Sequence, residues 1–258
     1  MLKVVVTAGG TSESIDGVRR ITNCSTGTLS SMIAERFVDY GLRTGKDLKL
    51  YYIHTDNCKM PSIKHGMEML KFINATSTYE VKDTVEKLLT EEKIDLFVHC
   101  MAVSDFSMHC YLSMEELAGH IMEMNLQSQP TSKEDIIKHF QDLVPQEQKK
   151  ISSKDDICMF MKRTPKIINM IKKISPETFL IGFKLLSGGS FEDLLASARI
   201  QILENDSDFV LANDTKNIGN GKHEAVLIDR HGDILGSFET KDHIAAGLVK
   251  MLVKKGVI

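Results

Sequence analysis

Lys3-Val4-Val5-Val6-Thr7-Ala8-Gly9-Gly10-Thr11 is a short β-branched run that empties into two glycines. Val4–Thr7 predicts a strand, because β-branched side chains suit a pleated surface. Ser25-Thr26-Gly27 makes a second small-residue turn, and Thr28–Gly41 reads as a helix ended by glycine. A helix start offers unpaired N–H groups and a partial positive charge, which together attract anions. Glycine lets a phosphate come close to the backbone. Gly9, Gly10, Ser25 and Gly27 are therefore candidate phosphate binders. Between the turns lie Arg19, Arg20 and Asn23, two cations and an amide. Each has a plainer reading too: an arginine as solvated surface, Asn23 as a helix cap.

Outward from this stretch, strand and helix patterns alternate. Leu48–His54, Met67–Ile73, Ile94–Cys100, Phe179–Phe183 and Asp208–Ala212 read as strands. Thr78–Glu92, Phe191–Leu203 and His243–Val253 read as helices, the second opened by the capping spacing Ser190…Asp193. Ala225–Ile228 and Ile234–Phe238 flank Asp229-Arg230-His231-Gly232-Asp233, a C-terminal hairpin signal. The expected fold is α/β, a Rossmann-like, mainly parallel sheet with helices on both faces. One domain is expected over residues 1–258, interrupted by an inserted helical, lid-like excursion at 107–149. Two amphipathic helices are expected within it, Ser113–Asn125 and Ser132–Leu143, with capping spacings Ser113…Glu116 and Thr131…Glu134. No clear core strand is read between Cys100 and Ile157, so the excursion reads as a lid or an interaction arm.

Composition narrows the function class. The 258 residues are 42% hydrophobic and 26% charged, ordinary values for a globular chain with a sizeable core. A net charge of −3 gives nucleic-acid binding no bulk support. No apolar run reaches the roughly 18 residues of a membrane span, and no signal-peptide pattern opens the chain. Cys24, Cys58, Cys100, Cys110 and Cys158 are odd in number and scattered, which predicts a reducing cytoplasm and no disulfide framework or zinc site.

Ligands of parallel sheets bind beyond the carboxyl ends of strands, and further polar motifs fall there. Ala102-Val103-Ser104-Asp105 ends one strand in a carboxylate that can meet a metal ion or a ribose, or simply make a turn. Gly182-Phe183-Lys184 ends another in an aromatic ring and a cation, and Ala212-Asn213-Asp214 ends a third in groups that can read a base edge or form an Asx-turn. Lys150, in Lys149-Lys150-Ile151-Ser152-Ser153-Lys154, is a mobile charge that can reach a phosphate, or a solvated loop residue. The histidines show no ligand spacing. The dinucleotide fingerprint GxGxxG and a Tyr-x-x-x-Lys pair are both missing.

Taken in order, Thr7–Thr11, Val18–Asn23, Ser25–Gly27, Ala102–Phe106, Lys150–Ser153, Thr164–Lys166, Gly182–Lys184 and Ala212–Asp214 resemble the phosphopantothenate–cysteine ligase family over nearly the whole chain. The resemblance implies a stand-alone form without the flavin-dependent decarboxylase half, and hence no flavin. It implies that 4′-phosphopantothenate and L-cysteine are joined in coenzyme A biosynthesis through an acyl-nucleotidylate, with CTP or ATP consumed and pyrophosphate released. By alignment, Asn23 would hold the acyl-nucleotidylate, Arg19 would serve the second half-reaction and Lys150 would stabilise the transferring phosphate. Asp105 would lie near the nucleotide and Mg²⁺ or another divalent ion, and Ala102, Phe183, Lys184, Asn213 and Asp214 would line the nucleotide site. A homodimer is the family's common state. Two features depart from bacterial members. The helix ending Gln201-Ile202-Leu203-Glu204-Asn205 lacks their lysines, and Phe183-Lys184 is closer to eukaryotic ones, with Lys184 a substitute for the missing cations. The competing readings are a Rossmann-type NAD(P)-dependent oxidoreductase and a non-catalytic nucleotide-binding module.

Overall fold

The computed structural model describes residues 1–125, 132–144, 151, 154–219 and 221–258. In chain order the strands are β1 (Leu2–Ala8), β2 (Ser12–Ser14), β3 (Arg20–Thr22), β4 (Leu48–His54), β5 (Leu70–Asn74), β6 (Leu96–His99), β7 (Phe106–Ser113), β8 (Ile157–Arg163), β9 (Phe179–Leu186), β10 (Phe209–Gly219), β11 (Lys222–Asp229) and β12 (Ile234–Phe238). The α-helices are α1 (Thr28–Thr44), α2 (Thr78–Glu91), α3 (Met114–Asn125), α4 (Lys133–Gln141), α5 (Ile167–Ile174), α6 (Phe191–Asn205) and α7 (Lys241–Lys254). They divide into two compact units. One holds Met1–Thr11, Asn23–Val103 and Pro165–Ile258; the other holds Ser12–Thr22 and Ser104–Thr164.

The first unit is an eight-stranded sheet in the order β12-β11-β10-β9-β6-β1-β4-β5. The six strands from β10 to β5 are parallel, and β11 and β12 add antiparallel at one edge. The period of two along β1 sorts its side chains between two helix layers. Val4 and Val6 pack with Ile33 and Phe37 of α1 and with Ile244 and Leu248 of α7. Val5 packs on the other face with Val81 and Val85 of α2 and with Ile167 and Ile171 of α5. Val210 and Ala212 meet Leu194, Ala198 and Ile202 of α6. All of β1 except Lys3 is buried, which is why the strand reads as a continuous apolar run.

Local chemistry sets the helix ends. Ser77 with Glu80 and Ser190 with Asp193 form reciprocal capping boxes at α2 and α6. Helix α1 runs through Gly41, where a stop is expected, to a left-handed cap at Gly45. Gly41 lies against Met69 and Leu48, so it is a small residue at a close helix–strand approach rather than a terminator. The C-terminal hairpin is part of a three-stranded meander, because β10 continues antiparallel to β11 beyond Asn213. Helix α5 escapes the sequence reading because it is short; its buried residues are Ile167 and Ile171, one helical repeat apart.

The second unit departs most from expectation. The excursion is not purely helical. It opens with β7, which pairs antiparallel with β8 beyond its end, and this unit also takes in the β2–β3 hairpin. Only Ser107, Cys110 and Leu112 are buried along β7, which mutes its alternation. Helix α3 is capped by Ser113 and Glu116 as expected. Helix α4 is capped by Ser132 with Asp135, one residue later than expected, and Thr131 lies outside the described residues. Phe140 of α4 stacks on Phe160 of β8 at 5.0 Å, and His139 Nε2 is 3.0 Å from His120 Nδ1 of α3.

His99 ends β6, buried, with Nδ1 3.1 Å from the Thr7 hydroxyl. Burial lowers its pKa from 6.5 to about 4, so the folded ring is neutral where the unfolded one takes up a proton. Stability should therefore fall as pH drops from 6.5 toward 4, by at most about 1.4 kcal/mol per pH unit from this group. Urea denaturation between pH 7 and 4.5 checks this, and His99→Asn should flatten the slope.

Candidate functional site

Counting only its parallel strands, the sheet runs third, second, first, fourth, fifth, sixth. The chain leaves β1 toward β4 on one side and leaves β6 toward β9 on the other, which opens a crevice beyond the ends of β1 and β6. Backbone pairing fixes the segments that line it. Ala102 N donates to Gly9 O at 2.9 Å, Thr11 N to Ala102 O at 3.0 Å, and Asn23 N to Thr11 O at 3.0 Å. Gly10 is packed so closely on Asn23 that a Cβ would overlap the Asn23 carbonyl. Asn23 is thus held beside the crevice by its backbone, and its side-chain amide makes no hydrogen bond among the described residues.

The following turn aims the N-terminus of α1. Gly27 is the N-cap in the left-handed region at φ +69°, and a Cβ there would meet Cys58 Sγ. No side chain caps the helix through Gly27 and no acidic residue occupies its first turn. Thr28 N donates to Thr26 Oγ1 at 3.4 Å, and the N–H groups of Leu29 and Ser30 and the partial positive charge are left for a ligand. These groups form one wall of a cavity of about 350 Å³, completed by Cys100–Ala102 after β6, Phe183 and Leu185 on β9, Asn213 and Ile218 on β10, His223 on β11, and Lys241 on α7. Phe183, Leu185 and Ile218 make an apolar side fit for a flat ring. Asn213 Nδ2 lies 3.4 Å from His223 Nε2. Burial, then the Lys241 charge, lowers the His223 pKa, so its ring is neutral. Burial pushes the Cys100 thiol up to about 12, so it is no thiolate nucleophile.

The expected site residues fall into three groups. Ser25, Gly27, Ala102, Phe183 and Asn213 line the cavity, while Gly9, Gly10 and Asn23 shape the segments around it. Lys184 does not join Phe183 there. Successive strand residues point to opposite faces, and Phe183 and Leu185 take the cavity face. Asp214 takes the turn role: its Oδ1 accepts from Lys216 N at 3.0 Å and Gly188 N at 3.1 Å, bonds that lower its pKa. The remaining residues belong to the other unit. There Arg19 pairs with buried Asp16 at 3.3 Å, and Asp16 also accepts from the backbone N–H groups of Val18, Arg19 and Ile151. Asp105 is exposed, and its carbonyl accepts from Thr164 N at 3.0 Å. Among the described residues, no group of three or more His, Cys, Asp or Glu could hold a metal ion. Lys150 lies outside the described residues.

Sequence reasoning missed Lys241, His223 and Asp16. Asp16 carries the Asx signature of bonding N–H groups two and three residues on. Lys241 carries a weaker one, a cation at a helix start, where the dipole disfavours it.

The model of the DNA/pantothenate metabolism flavoprotein C-terminal domain matches residues 1–147 and 139–255. The chain belongs to this family. It is 31% identical over 228 residues to the "Coenzyme A biosynthesis bifunctional protein CoaBC" of Thermococcus kodakarensis, covering 88% of this chain and 45% of that protein. The CoaBC of Methanocaldococcus jannaschii is 23% identical over 257 residues, covering 98% of this chain and 51% of the relative. The chain thus spans about half the length of these curated relatives. The crystal structure of the DNA/pantothenate metabolism flavoprotein from Streptococcus pneumoniae matches with TM-score 0.80 at 30% identity, over 99% of this chain and 100% of that one. A Cab2 mutant in complex with phosphopantothenate-cysteine shares the fold, with TM-score 0.67 at 16% identity over 98% and 86% of the two chains. The family's solved folds agree with the mainly parallel sheet read from the sequence.

Gly10→Ala should test the close approach that places Asn23. Relieving the overlap requires a backbone shift, with an expected loss of about 1–3 kcal/mol in denaturant unfolding. Unchanged stability would show that the Asn23 segment yields freely.

Proposed function

We propose that the chain is a phosphopantothenate–cysteine ligase acting in coenzyme A biosynthesis. The observation that carries this reading is the cavity at the β1/β6 crevice. There the N-terminus of α1 and an apolar ring-sized side meet, with Asn23 held in the segment beside them, in a chain of this family. The CoaBC names of its relatives and the ligand named for the Cab2 complex support the substrate assignment.

In the first half-reaction the carboxylate of 4′-phosphopantothenate attacks the α-phosphate of CTP or ATP. A P–O bond forms, the bond to the leaving pyrophosphate breaks, and the acyl-nucleotidylate results. In the second, the L-cysteine amine attacks the acyl carbon, the nucleoside monophosphate leaves and the amine loses a proton. Both first partners are anions, so positioning and charge neutralisation carry the catalysis. The α1 N-terminus holds phosphate oxygens. The free Asn23 amide donates to the acyl oxygen of the mixed anhydride as it gains charge. Lys150 neutralises the transferring phosphate and Arg19 serves the cysteine step. Mg²⁺ would neutralise phosphate oxygens. With a single exposed carboxylate at Asp105, the described residues suit an ion that arrives with the triphosphate rather than a resident one.

The deciding experiment is pyrophosphate release with phosphopantothenate and L-cysteine, comparing CTP and ATP. Release with one or both supports the reading, and none with either overturns it. Lys150→Gln should slow release by at least about a hundredfold, the scale of one electrostatic stabiliser in a dry site. Asn23→Asp should stay folded yet cut coupled ligation, because a carboxylate repels the acyl oxygen that the amide would hold. Unchanged coupled activity removes Asn23 from the mechanism.

A further inference from the structure

Lys241 is the one lysine or arginine among the described residues that line the cavity. It is the first residue of α7, directly after the N-cap Thr240. A cation there is disfavoured by its own helix dipole. No carboxylate pairs with it among the described residues, and the groups that feel its charge are the Cys100 thiol and the His223 ring. The adjacent Asp242 is committed elsewhere, to Arg36 at 2.5 Å. The N-terminus of α1 lines the same cavity, also positive and with no acidic residue in its first turn. Two positive features thus face one space of about 350 Å³, with neutral side chains between them. Without an anion they repel each other, and an anion between them satisfies both.

We infer that Lys241 is the cation that pairs with the phosphate chain of the nucleotide in this cavity. The assignment rests on the nucleotide-dependent reading above and names a binding residue for it. Lys184 cannot serve here, because the strand pleat turns it to the face opposite Phe183. The α6 terminus offers Gln201, Glu204 and Asn205, with no lysine.

Calorimetric titration of CTP, ATP, CMP and cytidine into Lys241→Glu, Lys241→Gln and Lys241→Arg tests the inference, alongside pyrophosphate release and thermal unfolding. Lys241→Gln should weaken both triphosphates about tenfold to a hundredfold, the range of one charge-assisted hydrogen bond. CMP should lose less and cytidine nothing, while Lys241→Arg should stay within about threefold of the unaltered protein. Lys241→Glu suits the helix dipole, so it should hold or raise the unfolding temperature while abolishing triphosphate binding. A purely structural lysine would not divide those two readouts. Unchanged triphosphate affinity in a folded Lys241→Glu protein overturns the assignment, and if pyrophosphate is still released the ligase reading stands. Triphosphate binding that is lost with Lys241, in a protein that never releases pyrophosphate, upholds the assignment and overturns the ligase reading.

Discussion

Two adjacent parallel strands whose onward connections depart in opposite directions leave a gap at their carboxyl ends, and the candidate site of the first unit depends on that gap. β1 and β6 form the pair. Their buried runs, Val4–Val6 and Leu96–Val98, fix where the gap lies, since both faces of both strands are covered by helices. The segments beyond them then have little freedom. Gly9, Thr11 and Ala102 pair as if the sheet continued for a residue or two, and Asn23 is tied to the same run. The residue whose amide is proposed to meet the reacting acyl group is thereby held by backbone hydrogen bonds. Its side chain remains free to donate.

The fold was legible because its signals are redundant. The consecutive β-branched residues of β1, the boxed start of α6 and the Asp229–Asp233 turn each agree with the alternating order around them. The second unit was not legible as a ribbon. Along β7 and β8 half-buried side chains replace clean alternation, and the two strands pair across more than forty intervening residues. Distant pairing leaves no local mark in a sequence.

The site was legible where backbone chemistry defines it and illegible where side-chain direction does. Gly27, Ser25 and Ala102 announce themselves by size and place, and the cavity includes all three. Phe183 and Lys184 are neighbours in sequence, which invites one role for both, yet the pleat separates them. Asn213 and Asp214 divide in the same way, one toward His223 and the other into the 188–189 turn. Lys241 lies outside the His243–Val253 helix read from the sequence and begins α7 in the structure. Only the fold brings it to one cavity with the N-terminus of α1.

The charges in that cavity set a limit on how the chemistry can work. A helix N-terminus supplies about half a positive charge and Lys241 one more, against about four negative charges on a triphosphate. Cys100 and His223 add nothing, since burial keeps the thiol protonated and the imidazole neutral. A triphosphate bound there as proposed would therefore be held in place without being neutralised. On the proposed ligase reading, a carboxylate approaching the α-phosphate would still meet net negative charge until further cations arrived, and a divalent ion carried by the phosphates and Lys150 are the groups proposed to supply them. Binding and activation would thereby be separable. On this proposal a nucleotide alone would dock on the α1 terminus and Lys241, and attack would become favourable only when the added cations drew charge from the leaving pyrophosphate.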